Sequence, residues 1–289
     1  NHPQTVWKIV LFLPVFCPTI GAHLISFSNS RRLFFLSYKI RINVMKDDSS
    51  KLHKYDVFIS GETIDLCVPS DDEWTLSQWF RWFNNDKITT HLAQGIYPNT
   101  LNLQRKYCNT LEVDNSRIAL LIKPKNYDGF IGIASLSSIN LAQRQCDFAM
   151  VIGERIDAKG SLFYGLEAKA LLTQHAMEKV GVERVNSSQS IDLIRWQNWQ
   201  ILFGYQVEGL LRKKFRKGNK TYDVIVSSCL LEDYEKLVNV RDGNLWPGKS
   251  KMFQLLKELP DQTPITEIIS WLPNKQKLHW QKIFTKEFK

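Results

Sequence analysis

The stretch GSLFYGLEAKALLTQHAMEKVGVERV, Gly160–Val185, opens in a small-residue loop, runs into an amphipathic helix, stops at a glycine and restarts as an apolar strand. Leu166, Ala170, Thr173, Met177 and Val180 recur at helical spacing and make one face, while Glu167, Lys169, Gln174 and Glu178 make the other, polar one. Gly181 stands where a left-handed residue closes a helix. At the other end, first-turn amides lack intrahelical acceptors. With the positive end of the helix dipole, they offer a diphosphate a site that needs no cationic side chain. A glycine before a helix is equally an ordinary helix start, so the surrounding chain has to decide.

Outward from this core lie a strand-like RVNSSQS, a helical Ile191–Phe203 and the turn Gly204-Tyr205. Then come a basic segment and the strand-like Lys220–Val226. The ordered pieces YGLEAKALLTQHAMEKVGVERV, FGYQVEGLLRKKF and KTYDVIVSSCLLEDY are preceded by GETIDLCVPSDDEWTLSQWFRWFNNDKIT (Gly61–Thr89) and FIGIASLSSINLAQRQCDFAMVIGE (Phe130–Glu154). Together they resemble the GCN5-related N-acetyltransferase (GNAT) family, in particular its branch of ribosomal-protein N-terminal and amino-sugar N-acetyltransferases. Five pieces in one order within a domain length, residues 58–237, make a combined signal that no single piece carries.

The resemblance implies an α/β (α+β) fold with a mixed, mostly antiparallel central sheet flanked by helices. It also implies acetyl-CoA as donor, no metal, and direct transfer to a primary amine without an acyl-enzyme. The acceptor is a small-molecule amine, such as a nucleotide-linked amino sugar, or a protein N-terminus. By the same resemblance, main-chain groups of Met150, Val151 and Ile152 hold the thioester and pantetheine, and Gly160, Ser161, Tyr164 and Gly165 belong to the phosphate loop. The family's loop reads Arg or Gln, two residues, Gly, one residue, Gly or Ala. Aligned on Tyr164-Gly165, this chain has Gly160 at the first position and Phe163 at the first glycine; alternatively Lys159-Gly160 is the loop and a short insertion follows.

Acetyl transfer needs a neutral amine and a fate for the departing thiolate. Asp147 stands where relatives often carry a glutamate base; its shorter arm would act through water, or it is satisfied structurally by a neighbouring strand. Where many relatives carry a tyrosine acid this chain has Gln200, and Tyr164 and Tyr205 do not replace it, so the acid is unassigned. Asn84 is the acceptor contact expected from the first helical region, whose Trp79 and Trp82, three apart, read as core. The irregular loop and missing tyrosine also admit a non-catalytic acyl-CoA-binding or regulatory module.

Composition bounds the remainder. With 289 residues and 44% hydrophobic content, the chain can bury one sizeable core and carry extensions. Five cysteines without ligand spacing and six scattered histidines support neither a disulfide framework nor a zinc site and fit the reducing cytoplasm. The net charge of +9 is concentrated in Arg212–Lys220, whose Gly218-Asn219 pair reads as a hairpin tip. It suits a polyanionic substrate such as CoA or a nucleotide-linked sugar, and no nucleic-acid partner is expected.

Residues 1–44 include an apolar run, Ile9–Ala22, too short for a bilayer span and broken by Pro14 and Pro18. Met45 reads as the natural start, with membrane contact expected only if residues 1–44 are native. At the other end, Asn244–Gly248 reads as a linker to a helical C-terminal extension, residues 245–289. There Ser250 caps a helix through Leu259, Thr263-Pro264 starts another, and Leu278, Ile283 and Phe284 give a later one an apolar side. This extension is expected to pack on the main domain or to dock a second copy as a homodimer.

Overall fold

The computed structural model describes residues 55–70, 72–156 and 160–259. The expectations for residues 1–44, Met45, Lys159 and the helices after Thr263 fall outside them. Eight strands form one sheet in the order β1-β2-β3-β4-β5-β6-β8-β7. They are β1 Val57–Ser60, β2 Ile64–Cys67, β3 Ile118–Pro124, β4 Gly132–Asn140, β5 Gln145–Ile152, β6 Arg184–Ser190, β7 Gln206–Lys217 and β8 Lys220–Leu230. Every neighbouring pair is antiparallel except β5–β6. A parallel pair needs a long crossover, and the chain supplies helix α4, Gly160–His175. Before it come α1 Glu73–Phe83, α2 Asp86–Thr89 and α3 Leu101–Leu111; after it, α5 Ile194–Gln200, α6 Leu231–Asn239 and α7 Lys249–Glu258. This is the mixed, mostly antiparallel sheet flanked by helices that the resemblance implies.

The central strands are buried in unbroken runs, Ala119–Ile122 in β3 and Gly132–Ala134 in β4, as strands covered on both faces must be. Trp79 and Trp82 are core residues, 0% and 3% exposed. Gly181, at φ 79°, closes the π-helical turn Ala176–Val180 that ends the crossover helix, and its N–H bonds the Ala176 carbonyl. The tip of the β7–β8 hairpin is Gly218-Asn219, with Gly218 at φ 57°. The expected helix Ile191–Phe203 is instead a tighter turn, the short α5 and a second tight turn, Ile201–Phe203.

Two corrections concern the helices. The polar side of the crossover helix is only partly a solvent face: Glu178 is exposed, but Glu167 and Lys169 are both fully buried. Glu167 turns to the β1–β2 connection, where its carboxylate accepts from the Glu62 and Thr63 amides and from the Thr63 hydroxyl. Those groups face away from the sheet ladder, so the carboxylate supplies the acceptors that a tight turn on buried structure lacks. Burial pushes the Glu167 carboxyl above its usual range, with the Thr63 bonds opposing.

The second correction is to the linker. Leu245 and Trp246 are buried, the Leu245 amide donates to Gln174 Oε1 at 3.0 Å, and Trp246 Nε1 donates to Glu62 Oε2 at 2.8 Å. The same Glu62 oxygen accepts from the Lys249 amide at 2.7 Å and so caps α7, which begins after Gly248 rather than at Ser250. The extension is thus anchored to the main sheet unit as far as Glu258. Glu167→Ala, which strips the acceptors from three donors, is expected to lower unfolding free energy by about 3 kcal/mol in urea titration. A loss below about 0.5 kcal/mol would show that water replaces the carboxylate.

Candidate active site

β5 and β6 pair only from Gln145↔Arg184 to Phe148↔Ser187. Beyond that, β5 stays with β4 as far as Gly132↔Ile152, and β6 stays with β8 as far as Ser190↔Val224. Each strand keeps its outer neighbour and loses its inner one, which opens a gap along Ala149–Ile152. Gly153 N donates to the Ile131 carbonyl at 2.7 Å, and Ser135 Oγ reaches the Ala149 carbonyl at 3.4 Å. The antiparallel alternation therefore turns the main-chain groups of Ala149, Val151 and Gly153 to β4 and those of Met150 and Ile152 to the gap. Of the three main-chain positions expected to hold a thioester, Val151 is engaged in the ladder, and Met150 and Ile152 present free edges.

The side chains of Met150 and Ile152 face α4. A methyl group added at Gly165 would stand 3.2 Å from Met150 Cε and 3.8 Å from Ile152 Cδ1, so this glycine lets the helix approach the gap closely. Gly160 and Ser161 are the first two residues of α4, so their amides have no acceptor within the helix. Tyr164 is 3% exposed and its hydroxyl donates to Asn126 Oδ1 at 3.0 Å, so its side chain ties α4 to the β3–β4 connection. Phe163, which stands at the family's glycine position, is buried against Phe253 of α7, with ring centroids 6.3 Å apart. The bulky residue thus has a partner outside the resembling segment.

Asp147 lies on the opposite face from α4, one residue before the last β5–β6 pair. Asn186 Nδ2 donates to its Oδ1 at 3.0 Å. Burial raises its carboxyl above the usual range, with bonds from Asn186 and Ser138 and the charge of Arg184 opposing. Asn84, expected as an acceptor contact, is exposed but committed. Its Nδ2 donates to the Asn99 carbonyl at 2.8 Å and its Oδ1 accepts the Asn99 amide at 2.7 Å. It clamps the segment between α1 and α3.

Because β5 and β6 are parallel, their C-terminal ends share one rim of the sheet, and the β7–β8 tip reaches past β6 at that rim. Lys217 Nζ bonds the carbonyls of Thr89 and Gln94, fastening the basic hairpin to the segment after α2. At the closed end of the gap lies a feature that helical periodicity missed: a buried polar cluster of Lys169, Ser187, Gln189, Gln197 and Gln200. The signal in the chain was polar residues at inward positions, Ser187 and Gln189 alternating with Val185 along β6. Among the described residues no group of three or more His, Cys, Asp or Glu could hold a metal, and the four described cysteines are buried and form no disulfide. No described helix is long and apolar enough to cross a membrane.

Neither a family model nor a curated protein sequence matches the chain. Solved structures do. The spermidine N-acetyltransferase of Vibrio cholerae, in complex with CoA and spermine, superposes with a TM-score of 0.54 at 16% identity, covering 61% of this chain and 99% of that one. A probable acetyltransferase of the GNAT family from Chromobacterium violaceum superposes with a TM-score of 0.50 at 20% identity, covering 61% of this chain and 87% of that one. At such identities the likeness is one of architecture: the sheet that opens between β5 and β6 is the GNAT fold.

Proposed function

We propose that the protein is an acetyl-CoA-dependent N-acetyltransferase that moves the acetyl group to a primary amine by direct attack. The observation that carries this reading is the parting of β5 and β6 beside the first turn of α4. An extended chain bearing amides and a thioester is matched by the unpaired edge at Met150 and Ile152, much as an added strand would be. Its diphosphate is matched by the first-turn amides of Gly160 and Ser161, which have no acceptor within the helix, at the positive end of a 16-residue helix, and Gly165 allows the close approach. The fit is thus of backbone donors to anionic and carbonyl oxygens, and it needs no metal. In this reading the thioester carbonyl is polarised by a gap-facing amide, and Asp147 takes the amine's proton through water.

The acceptor we propose is a small molecule carrying a primary amine, such as a nucleotide-linked amino sugar, with a protein N-terminus the alternative within the same branch of the family. The cationic hairpin at the rim favours an anionic acceptor over a polyamine such as that in the Vibrio cholerae structure. Asn84 serves by holding the α1–α3 segment at that rim. A cytoplasmic setting keeps the buried thiols reduced. One observation favours a second reading: Gln200 is fully buried and carries no titratable proton, which suits a non-catalytic acyl-CoA-binding module. Thiol release from acetyl-CoA across amino sugars, nucleotide-linked amino sugars, polyamines and N-terminal peptides separates the two. Turnover with an anionic amine is expected; acetyl-CoA binding with no thiol release from any amine contradicts the enzyme.

With a turned-over amine in hand, Asp147→Asn is expected to lower kcat/KM by about 100-fold. In the wild type the base must be ionised, so kcat/KM should rise with pH through a carboxylate value displaced upward by burial. A limb unchanged in the Asn variant would assign it to another group. Gly165→Val, which drives a branched side chain into Met150, is expected to weaken acetyl-CoA binding at least about 10-fold by calorimetry while leaving the fold intact by circular dichroism.

A further inference from the structure

Lys169 projects from the middle of α4 into the sheet with no accessible surface. Its Nζ stands 4.0 Å from the centroid of the Phe148 ring and 3.6 Å from that of Tyr205, and it donates to Ser187 Oγ at 3.4 Å. Ring faces favour an ammonium, but they do not neutralise it. The group whose charge acts on it is the Cys229 thiol of β8. Burial pushes that thiol up to about 12 and the Tyr205 phenol well above its ordinary value, so neither supplies an anion near neutral pH. Cys146 of β5 is likewise pushed up to about 12, and Thr173 of α4 meets the Tyr205 hydroxyl at 2.8 Å. Glu167, two residues away on α4, is engaged by Thr63.

Lys169 donates to Ser187, and the bonds beyond it run outward in the same direction. Ser187 Oγ, accepting from Lys169, donates to Gln200 Oε1 at 2.8 Å. Gln200 Nε2 then donates to Gln189 Oε1 at 2.8 Å and to Gln197 Oε1 at 3.1 Å. The cationic end of this chain is Lys169 itself, one bond from Ser187, which pairs with Phe148 in the last β5–β6 rung, and Gln189 lies past it on the β6 wall of the gap. Stability does not explain the arrangement. A buried charge with no anionic partner is destabilising, and an apolar side chain of the same length packs as well or better.

Building on the acetyl-transfer reading above, we propose that Lys169 is a positioning residue for the leaving group. Its ammonium, acting across Ser187, is the counter-charge for the thiolate that forms at the closed end of the β5–β6 gap. The amine lone pair forms the C–N bond, the C–S bond breaks, and its electron pair stays on sulfur. The amine's proton passes through water to Asp147, which returns it through solvent to the thiolate on release. A cation that lacks an anionic partner in the resting protein and gains one as C–S cleavage proceeds stabilises the transition state more than the ground state. Burial depresses the Lys169 ammonium well below the usual lysine range, so the cation is lost as pH rises through that depressed value, and turnover should fall with it.

The test is Lys169→Met, assayed beside the wild type in thiol release, acetyl-CoA calorimetry and thermal unfolding. Expected are a fall in kcat of about 100-fold, an acetyl-CoA dissociation constant within about threefold of wild type, and a Tm equal or higher. The alkaline limb of kcat should disappear in the variant. A kcat within about threefold of wild type, a retained alkaline limb, or equal losses in kcat and affinity overturns the proposal. Should Lys169→Met not fold, Ser187→Ala takes its place: a kcat loss of about 10-fold at unchanged affinity supports the chain, and an unchanged kcat overturns it. A wild type that releases no thiol with any amine rejects acetyl transfer itself; an active wild type with an equally active Met variant rejects the role of Lys169 alone.

Discussion

The structure depends on a conflict between two ladders. β5 is held by β4 through Ile152 and β6 is held by β8 through Ser190, while the parallel contact between them ends at Phe148↔Ser187. Strands that remain bonded outward and twist cannot stay bonded inward, so the main-chain groups of Met150 and Ile152 face no strand. An exposed strand edge in the middle of a sheet is costly unless something covers it or a ligand uses it. Helix α4 closes one side of this opening. It can come near because Gly165 has no side chain, and it is fixed from behind by Glu167 on the β1–β2 connection. Glu62, on that same connection, in turn receives Trp246 and caps α7, so residues far apart in sequence hold one helix in register with one gap.

Much of the architecture was legible in the chain. The glycine stop at Gly181, the hairpin turn at Gly218-Asn219 and the strand RVNSSQS carry local signals that tertiary context did not override. The burial of Glu167 and Lys169 was not legible. Helical periodicity tells which residues share a face but not how many faces are covered, and α4 is enclosed by the β1–β2 connection, 104 residues before Glu167, and by Leu245, 71 residues after Gln174. Asn244–Gly248 misled for a related reason, since Asn, Pro and Gly set the turn while Leu245 and Trp246 set the anchoring.

The site divides in the same way. The stretch Met150–Ile152 was found as a strand, but which of its amides faces the gap depends on register, and register is a property of pairs. Asn84 is polar, near a helix end and exposed, as a contact residue would be, yet its amide is spent on Asn99. For Asp147 the chain allows a base or a structural carboxylate, and what only the fold could supply is its bond from Asn186 and the burial that raises its carboxyl. The buried cluster from Lys169 to Gln197 escaped because a polar residue at an inward position has no local signature apart from its neighbours in the fold.

The most direct measurement of the central claim is residue-resolved amide hydrogen exchange of β5, with and without acetyl-CoA. In the free protein the amides of Met150 and Ile152 should exchange faster than that of Val151, which the β4 ladder protects, and acetyl-CoA should slow the first two while leaving the third unchanged. Protection of all three amides in the free protein, or no change at Met150 and Ile152 under saturating acetyl-CoA, would contradict a gap that receives the donor.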